Sequence, residues 1–103
     1  MLNRLFAIET AKSFVNDCME KGLKFHKVLM FGSASSDTME EYSDIDLLLI
    51  SDQFNDNIFE NLKLYSKINL HYPIIETHPY SIKNYYSGDP FIDEISHNSI
   101  EII

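Results

Sequence analysis

Two short stretches carry the chemistry this chain could do: Phe31-Gly32-Ser33 and, after ten intervening residues, Asp44-Ile45-Asp46. Glycine lets a backbone approach a ligand closely, and a Gly-Ser turn offers N–H groups and a hydroxyl suited to phosphate oxygens. The carboxylates suit a hard divalent cation such as Mg²⁺, which takes oxygen ligands and is commonly held by one or two carboxylates together with substrate phosphates. They open an apolar run, Leu47-Leu48-Leu49-Ile50, that reads as a buried strand. Residues two apart on a strand face the same way, so Asp44 and Asp46 project together and Ile45 turns away. Two acids on one face of a buried strand repel each other unless something cationic sits between them. On these residues alone, a solvated loop edge remains the competing reading of Asp-x-Asp.

The elements that must position these groups follow from periodicity. Leu2 to Lys21 reads as a helix, with Ala7, Ile8, Ala11, Phe14, Val15 and Cys18 at helical spacing and Lys21-Gly22 as its stop. Phe25 to Phe31 reads as a strand that ends in the Gly-Ser turn. Ser35 to Tyr42 is polar and acidic, a loop or one short helix; Asp44 to Ser51 is the second strand. Asn57-Ile58-Phe59-Glu60 has capping-box spacing and opens a helix through Ile68, with Ile58, Leu62, Tyr65 and Phe59 facing inward. Tyr72 to Thr77 is a third strand and Ser81 to Tyr86 a short helix. Asp89-Pro90 is an N-cap followed by proline at the first helical position, starting a helix that runs to about His97. Ile100 to Ile103 closes as a last short strand.

This is an α/β (α+β) order in one small domain spanning 1–103. The Gly-Ser turn ends strand one and the Asp pair begins strand two, so both serve one site only if these strands run antiparallel. The sequence therefore predicts a mixed sheet flanked by helices, and disfavours a purely parallel one.

Composition narrows the function classes. The formal net charge of −8 argues against broad binding to a nucleic-acid backbone, which needs basic patches. It does not argue against a small nucleotide whose charge a metal neutralises, and it suits a basic protein partner. The single cysteine, Cys18, excludes an internal disulfide and sits on an apolar helix face, reading as core. No stretch has the form of a signal peptide or a membrane helix, so a cytoplasmic protein is expected. His71 and His78 flank the third strand, but no second pair with zinc-ligand spacing exists; His26 and His97 read as surface residues. Tyr80, Tyr85 and Tyr86 read as packing residues, with stacking on a base or a partner surface as the alternative.

Phe31-Gly32-Ser33 with Ser43-Asp44-Ile45-Asp46-Leu47 resembles the nucleotidyltransferase superfamily related to DNA polymerase beta. It is most similar to the minimal nucleotidyltransferases, often encoded beside a helical toxin. The resemblance implies a Gly-Ser turn and short helix, then Asp-x-Asp, then a third carboxylate on a later strand, here Glu76 in Pro73-Ile74-Ile75-Glu76-Thr77. It implies transfer of a nucleoside monophosphate, AMP from ATP, to a hydroxyl, with two Mg²⁺ ions held by Asp44, Asp46 and Glu76. Gly32, Ser33 and Ser43 would contact the nucleotide, and Glu76 could also take the proton of the attacking hydroxyl. The implied partner is a HEPN-type toxin whose tyrosine is the acceptor, supplied in trans because so short a chain is expected to lack its own acceptor-binding domain. One departure stands out. Many small members carry Ala-Arg-Gly after the Gly-Ser, whereas this chain has Ser35-Ser36-Asp37. An arginine there would offer a fixed cation and a fork for phosphate. Without it, the pocket depends more on metal, and a binding module that neutralises its partner without chemistry is the alternative.

Overall fold

The computed structural model describes residues 3–32 and 44–103. The expected loop or short helix over 35–42, together with Ser33 and Ser43, lies outside the described residues. The first helix, α1, runs Arg4–Glu20. Asn3 caps it by accepting from the Phe6 N–H, and Gly22, at φ +98°, follows the C-cap residue Lys21 where the chain turns away. Strand β1 (Lys27–Phe31) and strand β2 (Ile45–Ser51) follow, then the short helices α2 (Ile58–Lys63) and α3 (Ser66–Asn69). Strand β3 (Ile75–Ser81), helix α4 (Ile82–Tyr85), helix α5 (Pro90–His97) and strand β4 (Ile100–Glu101) complete the order.

The sheet order is β3-β2-β1-β4. β1 lies antiparallel to β2 and to β4, whereas β2 and β3 run parallel. The sheet is mixed, as the placement of the turn and the acids required. Alternation divides the strands between two layers. Val28, Met30, Ile45, Leu47 and Leu49 pack under α1 against Ala7, Ala11, Phe14, Val15 and Cys18. Leu29, Leu48 and Ile50 face the other way and meet Ile92 and Ile95 of α5, with Phe31, Tyr80, Ile82 and Tyr85 around them.

Two expectations are corrected. The helix expected from Asn57 to Ile68 is two helices, because Tyr65 leaves helical geometry at φ −145° and ψ −2°. That bend sinks its ring beside Phe14 and Phe54 and brings its hydroxyl to the Thr77 hydroxyl at 2.8 Å. Ile58 and Phe59 do not face inward; they are 44% and 74% exposed. Asn61 takes the inner position instead. Its side chain accepts from the Asn55 N–H and donates to the Asn55 carbonyl, both at 2.8 Å, which sets the roll of α2.

The third strand is also displaced, from the expected Tyr72–Thr77 to Ile75–Ser81. Tyr72 instead closes the turn after α3, its N–H donating to the Asn69 carbonyl. The strand continues through Pro79 because β3 is an edge, where a missing N–H costs no ladder bond on the open side. The closing helix over Pro90–His97 forms as expected, capped by Asp89, which accepts from the Phe91 N–H.

Candidate active site

The register brings three strand ends to one place. Phe31 stands opposite Asp46 across the antiparallel pair, and Asp46 stands opposite Glu76 across the parallel pair. Asp46 has the parity of Leu48 and Ile50, so it belongs to the face that α5 covers further along. Glu76 and His78 likewise share a side of β3, being two apart. One ligand atom each from Asp46, Glu76 and His78 lie within 4.8 Å of one another.

Gly32 completes the floor. Its φ is +74°, a left-handed conformation that L side chains rarely take, and a Cβ there would lie 2.6 Å from Asp46 Oδ2. The bare Cα therefore opens the space against the carboxylate that any other residue would fill. Asp44 lies exposed just before β2 and is not a member of the cluster. The structure thus brings together Gly32, Asp46 and Glu76 of the residues singled out in the sequence, and leaves Asp44 exposed before β2, outside the cluster.

The electrostatics are those of a crowded acid. Partial burial pushes the Asp46 carboxyl above its ordinary value, the nearby His78 opposes that, and the negative charge of Glu76 adds to it. His78 Nε2 lies 3.5 Å from Asp46 Oδ1, too far for a good hydrogen bond. Its ring packs on Phe31 at 5.2 Å between centroids, and Phe31 meets Phe91 of α5 edge-on at 6.3 Å.

His78, set aside in the sequence for want of a second zinc-spaced pair, stands with Asp46 and Glu76. Its signal was the Glu76-x-His78 spacing, which puts both on one side of a strand once the strand is allowed to run past Pro79. The other histidines lie elsewhere. His71 lines a surface hollow with Asp17, Glu20 and Lys67. His26 and His97 are exposed. Cys18 is wholly buried, and burial raises its thiol to about 12, which makes it an inert core residue.

The sequence profile of the nucleotidyltransferase domain family matches residues 12–95, a span that runs from the second half of α1 into α5 and holds the whole cluster. The chain belongs to this family. A nucleotidyltransferase candidate from Sulfolobus solfataricus, known from a crystal structure at 1.40 Å, superimposes with a TM-score of 0.69. The two chains are 17% identical, over 95% of this chain and 80% of that one. That likeness shows the fold alone. No curated protein matches the chain. Among the described residues, no helix of this nucleotidyltransferase-family protein is long and apolar enough to cross a membrane.

Proposed function

We propose that this protein transfers a nucleoside monophosphate from a nucleoside triphosphate to a hydroxyl and releases pyrophosphate, with divalent cations as cofactor. The observation that carries the reading is the meeting of Gly32, Asp46 and Glu76 at adjoining strand ends, in a chain of this family. The donor set fits the cofactor: clustered carboxylate oxygens beside a space that a Cβ at Gly32 would fill. Asp46 and Glu76 would hold the cation from the sheet, with Asp44 joining from the strand mouth. When bound, Mg²⁺ or a similar ion neutralises triphosphate charge and makes the attacking hydroxyl more acidic.

The remaining roles belong to the chain. Gly32 lets the backbone come close to phosphate. Ser33 and Ser43 supply further nucleotide contacts. Glu76, the exposed carboxylate of the cluster, accepts the proton released by the acceptor hydroxyl. The finer reading is ATP as donor and a protein hydroxyl as acceptor, on a tyrosine of a HEPN-type helical toxin. It is supported by the resemblance described above and by the net charge of −8, which favours a basic protein surface over a nucleic acid.

A second reading has its own observation. Ser35-Ser36-Asp37 provides no guanidinium for phosphate, which favours a module that neutralises its partner by binding alone. Incubation with Mg²⁺, each labelled nucleoside triphosphate and a co-encoded helical protein separates the two. Nucleotide-mass addition by intact-protein mass spectrometry, lost in an Asp44→Asn/Asp46→Asn double variant, supports transfer. A stable complex without addition supports the binding module.

A further inference from the structure

Transfer as proposed needs carboxylates; it does not by itself call for an imidazole. Yet His78 Nε2 faces Asp46 in the cluster, is sealed from solvent and, among the described residues, has no hydrogen-bond partner. A polar atom in that state costs free energy, so an orphan of this kind in a folded protein asks for a missing partner. Asp46 offers only a distant ion-pair approach: at 3.5 Å its Oδ1 is too far for a well-made hydrogen bond. Packing does not supply a reason either, since an apolar ring on Phe31 would fill the same space without stranding a nitrogen. What the three donors share is a common focus, within 4.8 Å, with two oxygens and one nitrogen around it.

We propose that His78 is a nitrogen ligand of the cation held by Asp46 and Glu76, and that this mixed set moves the centre's preference from Mg²⁺ toward first-row transition cations. The proposal rests on the carboxylate centre described above. Mg²⁺ demands oxygen ligands in near-ideal octahedral geometry and gives up water reluctantly. Imidazole suits transition cations, whose affinity for a nitrogen-containing site rises along the series from Mn²⁺. Mn²⁺ also accepts carboxylate oxygen, which makes it the appropriate probe.

The test is Mn²⁺ binding to the full chain without nucleotide, with free Mn²⁺ followed by electron paramagnetic resonance. Pulsed measurements on the bound ion report whether an imidazole nitrogen is coordinated. Wild type is compared with His78→Phe, His78→Gln and Asp46→Asn, each first shown to be folded by circular dichroism. In wild type, bound Mn²⁺ should show the nitrogen coupling. His78→Phe should erase it and weaken Mn²⁺ at least about tenfold, with a much smaller effect on Mg²⁺ measured by competition. His78→Gln, which keeps a polar side chain, should also lose the coupling, so the result stands on a second variant if the first does not fold. Unchanged Mn²⁺ affinity in both His78 variants without nitrogen coupling in wild type, but lost binding in Asp46→Asn, overturns the role of His78 and leaves the carboxylate centre standing. No Mn²⁺ binding to wild type overturns the proposal as well. The transfer assay, where triphosphate can bring its own cation, then judges the enzymatic reading separately.

Discussion

The two faces of this sheet are made by the same strands and have opposite characters. Beneath α1, alternate residues of β1 and β2 meet a continuous apolar layer, with Phe14 edge-on to Tyr65 and Tyr72 at 6.2 and 5.6 Å. On the other face, the apolar run along β2 stops at Leu48, and the next residue of that parity is Asp46. One face is finished as a core. Among the described residues the other is left open where charge gathers, and tolerates a raised carboxyl and a stranded nitrogen there. Alternation lets a strand only a few residues long serve both ends, because a residue can be costly on one side while its neighbours stabilise the other.

The largest expected effect breaks function and spares the fold. Asp46→Asn should lower transfer by at least about a hundredfold, since a transfer of this type relies on positioning and charge neutralisation. The variant should not be less stable in cation-free buffer. Asp46 has its carboxyl raised in the folded state, so its stabilising share is complete below the unfolded value of 3.8 and is lost as pH rises through the higher folded value. At neutral pH the ionised group opposes folding, and the amide removes that opposition. Thermal melts without divalent cation check the sign. A clear loss of stability would mean that the open face contributes to the core after all.

Phe14→Ala is the mirror experiment. Phe14 is fully buried and packs against both tyrosines, so its removal should cost about 3–5 kcal/mol by urea unfolding, a large part of a small domain's stability. Whatever fraction remains folded should transfer normally. Gly32→Ala should strike both properties together. It forces a left-handed φ on a residue with a Cβ, at roughly 1–2 kcal/mol, and drives that Cβ against Asp46 Oδ2. Unlike Asp46→Asn, it should lower the melting temperature and transfer in the same protein.

Alkaline pH acts on the finished face. Burial raises Cys18 from 9.0 to about 12 and Tyr65 from 10.0 to about 12. Both hold their protons when folded and release them earlier when unfolded. Their contribution is therefore complete below about pH 9 and is lost as pH rises through about 12. The Tyr80 hydroxyl, raised by burial on the other face, adds in the same direction. Urea midpoints should be flat on the neutral side of pH 9 and fall on the alkaline side. Cys18 should resist thiol reagents until the protein unfolds.

What the sequence disclosed, and what it hid, divides along the same faces. Leu47 to Ile50, the Asp89-Pro90 cap and the apolar stripe of α1 were legible because local pattern and final packing agree there. The antiparallel pairing of β1 with β2 was legible from chemistry: a phosphate-type turn and an acid pair had to meet. Helix α2 was misjudged in its roll because Ile58 and Phe59 look like core, while the bonds between Asn55 and Asn61 that decide its orientation leave no hydrophobic trace. His78 was hidden by Pro79. A proline reads as the end of a strand unless the strand is known to be an edge, and that is a property of the assembled sheet.

The smallest predicted effect separates the faces most cleanly. Asn57 caps α2, which packs through Leu62 under the α1 face, and Asp89 caps α5, which covers the open one. Asn57→Ala and Asp89→Ala each remove one capping side chain and should each cost about 1 kcal/mol. For a domain of this size that is a fall of roughly 4–8 °C in melting temperature. The thermal effects should therefore match. The catalytic effects should not. Phe91, whose N–H the Asp89 carboxylate receives, touches Phe31, and Phe31 touches His78. Loosening the start of α5 therefore disturbs a chain of rings that ends at the cluster, whereas α2 packs through Leu62 on the α1 layer and carries no ring of that chain. Asp89→Ala should lower transfer by a few-fold and Asn57→Ala should leave it unchanged at equal folded fraction. Equal losses in both would mean that the open face is held by the stability of the whole domain and not by its own helix.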